Sequence, residues 1–215
     1  LETKPETLVI PSTDGEGNNI IFIVSGSFST STFQGLESSK LIIQEGITSI
    51  GDFAFKNCNT LTSVSLPSTL TSIGDMSFYE CMGLTGELVI PESVTSIGYS
   101  AFASCMGLTG ELVIPEGVTS LVDSVFSGCS GLTGKLVIPE GVTSIERNAF
   151  FGCSSLTSVS LPSTLTSIGS GVFSNCSGLT GELVIPNGVT SIGDSAFYGC
   201  SSLTSISLPS TLTSI

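Results

Sequence analysis

Apolar positions in this chain alternate in short phrases and do not form helical stripes. In LTGELVIPESVTSIG, residues 84–98, Leu88 and Ile90 point one way while Glu87 and Val89 point the other, because successive side chains of an extended strand face opposite sides. The proline ends that strand, since it has no N–H to give to a ladder. A turn, written ES here and EG, NG or ST elsewhere, leads to a second extended piece, VTSI. A segment such as GDSAFYGC then predicts a short helical or 3-10 turn, with Gly193 before it and Asp194 placed to cap its start. Strand, turn, short strand, short helical turn and turn make one coil.

That coil recurs along the chain. Cys58, Cys81, Cys105, Cys129, Cys153, Cys176 and Cys200 are spaced 23, 24, 24, 24, 23 and 24 residues apart. A phenylalanine stands three residues before each cysteine and a leucine three residues after. The shorter form reads LTSVSLPSTLTSIG, and the longer inserts one residue, as in LTGELVIPEGVTSI. One coil buries only about six apolar side chains, each contributing roughly 1.5–3 kcal/mol. Ordering its residues costs on the order of 1–2 kcal/mol apiece. A lone coil therefore does not fold, and the coils must share faces in a stack. The predicted fold is a repeat solenoid.

About seven such coils fill residues 41–215, and residues 1–40 read as an N-terminal cap with one degenerate coil. Within the cap FQGL at 33–36 takes the FxxC slot, with Leu36 in the cysteine position, while LVIPS at 8–12 and NIIFIV at 19–24 read as strands over the first coil's open end. The chain starts at Leu1 and stops within a repeat, STLTSI, which is expected of a piece cut from a longer parent.

The pattern L-x-x-[VI]-x-[LI]-P, then [LV]-T-S-I-G, then A-F-x-x-C resembles the BspA-like class of leucine-rich repeats over residues 33–215. The resemblance implies a right-handed leucine-rich-repeat horseshoe with a parallel sheet on its concave face and the short second strands and helical turns on the convex side. It also implies an extracellular or cell-surface location and a role in adhesion to matrix or cell-surface proteins. No ligand comes with it, because the class shares no binding residues to transfer. Two departures are Gln44 in the proline slot and LVDSVF at 121–126 in place of IGDSAF.

Charge narrows the partners. The net charge is −13 with five basic residues, the opposite of the basic footprint that nucleic acid requires. It equally disfavours anionic lipid surfaces. No apolar run reaches the roughly 18 residues that span a bilayer. The chain holds no histidine, which removes the commonest general base and metal ligand. It also lacks a GxSxG elbow, a GxxxxGK[ST] loop and a CxxC pair, so neither an enzyme nor a bound cofactor is expected. The acidic residues recurring one coil apart read as a solvated ladder, without the DxDxDG spacing of a calcium site. The cysteines, odd in number and all in one repeat position, read as small buried hydrophobes that remain reduced.

Partner contacts are expected on exposed columns that vary between coils. One strand-face column runs Lys40, Ser63, Glu87, Glu111, Lys135, Ser158, Glu182, Ser205. Its neighbour runs Ile42, Ser65, Val89, Val113, Val137, Ser160, Val184, Ser207. Glu87, Val89, Glu111, Val113, Lys135, Val137, Glu182 and Val184 therefore form the candidate partner-binding patch, an apolar stripe with a charged rim. The expected partner is an extracellular matrix or cell-surface protein, bound by a monomer. Valine's preference for strands supplies a purely structural account of the same stripe. A rigid spacer in a larger surface protein is the chief alternative role. Ice binding by the threonine column from Thr48 to Thr213 is a further one.

Overall fold

The computed structural model describes residues 7–13, 22–23 and 39–215. FQGL at 33–36 lies outside these residues. The long strands of successive coils are β1 (Thr7–Ile10), β3 (Ser39–Ile43), β5 (Leu61–Ser65), β8 (Gly134–Val137), β10 (Leu156–Ser160), β12 (Gly181–Val184) and β14 (Leu203–Ser207). The short second strands are β2 (Phe22–Ile23), β4 (Ser49–Ile50), β6 (Ser72–Ile73), β7 (Ser96–Ile97), β9 (Ser144–Ile145), β11 (Ser167–Ile168) and β13 (Ser191–Ile192). Every pairing between them is parallel, in the orders β1-β3-β5, β8-β10, β12-β14, β2-β4-β6-β7 and β9-β11-β13. Most coils add one long and one short strand to a parallel-strand solenoid; between residues 84 and 131 the only strand is β7, and isolated bridges take the place of the others.

The cap strands extend the same stack. β1 pairs with β3 and β2 with β4, so they occupy the two strand positions of a preceding coil. Gln44 now has an explanation: its N–H donates to the Ile10 carbonyl at 3.0 Å, and its side chain accepts the Ser12 N–H. Proline in that slot has no N–H to donate. The LVDSVF departure also keeps the stack, with Leu121 bridged to Ile145.

The core consists of columns that run the length of the stack. Phe55, Phe78, Phe102, Phe126, Phe150 and Phe173 are fully buried, and with Phe197 their rings stack coil upon coil at centroid distances of 5.1–5.9 Å. Leucine and isoleucine columns from both strands, with buried valines, alanines and cysteines, fill the rest of the interior. Leu88 and Ile90 are buried while Val89 is 67% exposed, the alternation that the strand pattern requires.

One predicted element is replaced. The segment containing each phenylalanine is a chain of turns, and no helix forms among the described residues. Alternate N–H groups in it serve different partners. Those of Ala54, Lys56 and Cys58 donate three residues back within the coil, whereas those of Phe53, Phe55 and Asn57 donate to Asp75, Ser77 and Tyr79 carbonyls of the next coil at 2.7–2.8 Å. A helix would keep every N–H internal. Left-handed residues four apart, such as Phe53 (φ 58°) and Asn57 (φ 61°), impose the alternation. The proposed aspartate cap changes accordingly, as Asp52 Oδ1 accepts the N–H of Asp75 one coil on, and Asp75 Oδ1 accepts that of Tyr99.

Candidate functional site

The strand face carries the expected columns. Lys40 lies opposite Ser63, Lys135 opposite Ser158 and Glu182 opposite Ser205. Ile42 lies opposite Ser65, Val137 opposite Ser160 and Val184 opposite Ser207. Val113 is bridged to Val137. Val89, Val113, Val137 and Val184 are 67, 56, 51 and 59% exposed, and Glu87, Glu111, Lys135 and Glu182 are exposed beside them. Glu111, Val113, Lys135 and Val137 share one cleft, with Glu116 and Pro139 completing its walls. Glu182 and Val184 belong to a second cleft with Glu140, Leu161 and Pro186. The residues of the patch therefore lie on one face but in more than one depression.

Much of the hydroxyl surface is committed to holding the coils together, while Phe53, Met82, Met106, Phe151 and Tyr198 are also exposed elsewhere. In the threonine column, Thr71 Oγ1 donates to the Thr48 carbonyl, Thr166 to Thr143 and Thr213 to Thr190, each at 2.9 Å. A second column repeats this from Thr62, Thr85, Thr157 and Thr180. In the turn after the proline, the Glu45 carboxylate accepts the Ser68 N–H and hydroxyl, and Glu140 does the same for Ser163. These bonds hold the Glu45 carboxyl below its ordinary range. The abundance of hydroxyls and scarcity of charge in the sequence thus reflects neutral hydrogen bonds from coil to coil. Sequence reading treated the threonines as a surface ladder and missed this function; their regular spacing beside the strands was the available signal.

The cysteines form another such column. All seven are free, six of them buried. Each thiol from Cys81 onward donates to the phenylalanine carbonyl of the preceding coil, as in Cys129 Sγ to Phe102 O at 3.1 Å. Burial pushes these thiols up, Cys58 and Cys176 to about 12, with neighbouring sulfurs adding to the effect along the column. A thiol held protonated is a poor nucleophile and a poor metal ligand. Among the described residues no group of three His, Cys, Asp or Glu side chains is placed to hold a metal ion. The glycines of the repeated GLTG also divide their work. A Cβ at Gly83 would lie 2.1 Å from the Asn59 carbonyl oxygen, whereas one at Gly86 would meet nothing within 4 Å, and that residue needs its positive φ of 77°.

Similarity to known proteins agrees with this architecture. The profile of the BspA type leucine rich repeat region matches residues 26–135 and 132–215, in six copies. No curated protein matches the chain. Among solved structures, a leucine-rich repeat protein from Bacteroides ovatus is 28% identical with a TM-score of 0.69, over 98% of this chain and 59% of that one. The present chain thus spans less than two thirds of that relative. A leucine rich repeat protein of T. pallidum is 28% identical with a TM-score of 0.65, covering 81% of this chain and 78% of that one. A leucine rich cell surface protein from Faecalibacterium prausnitzii is 25% identical with a TM-score of 0.52, over 97% of this chain and 83% of that one. With its profile matched along most of its length and its coils stacked as the repeat requires, the chain belongs to the BspA-type leucine-rich-repeat family.

Proposed function

We propose that this is a non-enzymatic, adhesion-type repeat domain of a secreted or surface-displayed protein, which binds an extracellular matrix or cell-surface protein through its strand face. The observation that carries the reading is the row of exposed valines at 89, 113, 137 and 184, set beside Glu87, Glu111, Lys135 and Glu182. Large apolar side chains held out in water on a rigid sheet lose little conformational freedom when a partner covers them. The threonine and cysteine positions, by contrast, are occupied by bonds within the stack. The likeness to a protein described as a leucine rich cell surface protein supports the location.

A second reading, the rigid spacer, draws on the continuous phenylalanine column and the hydrogen bonds joining every coil. Binding of the purified chain to a panel of matrix and cell-surface proteins separates the two, with a Val113→Asp/Val137→Asp variant alongside. Saturable binding that the variant loses, at unchanged thermal stability, supports the adhesive face. Equal binding by the variant removes the valines from the site, and no binding across the panel favours the spacer.

A further inference from the structure

The strand face is interrupted, and the interruptions follow the repeat length. In β3-β5, β8-β10 and β12-β14 the later strand belongs to the shorter repeat, LTSVS or LTSIS. Where the later coil carries the extra glycine, the ladder fails or shrinks. No ladder joins β5 to the segment after Gly86, or β10 to β12, which begins at Gly181. In the coils that carry Gly110 and Gly134, isolated bridges are the only strand pairing to the preceding coil among the described residues. These four glycines have φ of 73–82°, a conformation open to glycine; in the ladders that do form, Gly134 and Gly181 pair with Leu156 and Leu203, and the unpaired residue is Thr157 or Thr204 of the shorter coil. The inserted residue thus opens seams in the face.

Two seams are clefts. One, of about 190 Å³, lies between residues 111–114 and 135–139, with Val113, Val137 and Pro139 as its apolar wall and Glu111, Glu116 and Lys135 at its rim. The other, of about 400 Å³, lies between β10 and β12, with Leu161, Val184 and Pro186 as wall and Glu140 and Glu182 at the rim. Together they present four carboxylates to one lysine, Glu140 through the oxygen left over from its bonds to Ser163. A lysine or arginine side chain suits such a cleft, packing its methylene stem on valine and proline while its cation reaches the rim. The clefts are two coils apart, about 10 Å, which about three residues of extended chain cover.

Resting on the reading that the strand face is the binding face, we propose that these clefts receive lysine or arginine side chains from an extended protein segment laid across the coils. The partner's contact region is then a basic stretch with apolar residues interleaved at a spacing of about three.

The test uses the full chain and two labelled twelve-residue peptides, one repeating Lys-Val-Ser and one repeating Glu-Val-Ser, followed by fluorescence anisotropy. The lysine peptide binds and weakens with added salt, while the glutamate peptide does not bind. Glu111→Gln/Glu182→Gln weakens binding at least about tenfold, and Lys135→Gln tightens it. Glu80→Gln/Asp194→Asn removes equal charge from the turn layer and leaves the affinity unchanged. Equal weakening by both double variants would mean that only the net charge is being read, and would overturn the inference, as would failure of the lysine peptide to bind. A panel protein lost on Val113→Asp/Val137→Asp but indifferent to Glu111→Gln/Glu182→Gln sinks the basic segment while sparing the strand face. Indifference to both pairs sinks both.

Discussion

Ser77 sits in the position before the core phenylalanine, where other coils carry Ala54, Ala101, Val125, Ala149, Val172 and Ala196. Its side chain is fully buried and its hydroxyl has no hydrogen-bond partner. A buried hydroxyl left unpaired costs about 1–3 kcal/mol. Ser77→Ala removes that hydroxyl and leaves the backbone carbonyl free to accept the Phe55 N–H as before. The oxygen it deletes leaves a void smaller than a water molecule, so the cavity penalty is small. Ala101, also fully buried one coil on, shows that alanine fits the site. The expected outcome is stabilisation by about 1–2 kcal/mol, a rise in melting temperature of roughly 2–8 °C for a chain of this size. The converse, Ala101→Ser, introduces an equivalent unpaired hydroxyl and lowers stability by a similar amount. Urea titrations followed by circular dichroism at constant m-value give both numbers. Destabilisation by Ser77→Ala, or no effect from Ala101→Ser, would refute the reasoning.

Other consequences are equally open to measurement. Phe126→Ala, between two stacked rings in a fully buried position, costs about 3–5 kcal/mol, whereas Phe197→Ala, half-buried with one ring neighbour, costs less; comparable losses in urea titrations would argue against a continuous column. Gly83→Ala forces a Cβ against the Asn59 carbonyl and destabilises more than Gly86→Ala, whose cost of about 1–2 kcal/mol comes from its left-handed φ alone, and melting temperatures rank the pair. The thiols are held protonated in the fold, so the unfolded chain loses protons first as pH rises. Stability is intact below pH ~8.5 and falls above it, by on the order of 1 kcal/mol per buried thiol per pH unit. Denaturant midpoints between pH 8 and 11 check the slope, and native-state alkylation reaches Cys200 first because it alone is partly exposed.

The features legible in the sequence were those fixed by period. Seven cysteines at near-constant spacing, with phenylalanine and leucine at fixed offsets, determine the columns. Strand alternation then determines that Val89 faces out and Leu88 in, and the register follows from aligning LVIP with VSLP. Conformation within the turns was less accessible. Nothing in the letters GDFAFKNC announces that Phe53 and Asn57 adopt positive φ, since neither is glycine and a short helix satisfies the same residue preferences. The thiol-to-carbonyl bonds were hidden because burial alone already accounts for a cysteine. The seams in the strand face were half visible: the inserted glycine is plain in GLTG, but that a ladder shrinks to isolated bridges where the later coil carries it appears only in the pairing. In the candidate patch the exposure of each side chain was readable, whereas its division into clefts was not.

The most direct test of the account asks which face of the solenoid a bound partner touches. A photo-crosslinking residue is placed at position 113 on the strand face and, in a separate protein, at exposed position 151 on the turn layer. Each is irradiated with a partner captured from the matrix and cell-surface panel. The account predicts covalent capture from 113 and none from 151. Capture from 151 with none from 113 would contradict it and move the binding surface to the turn layer.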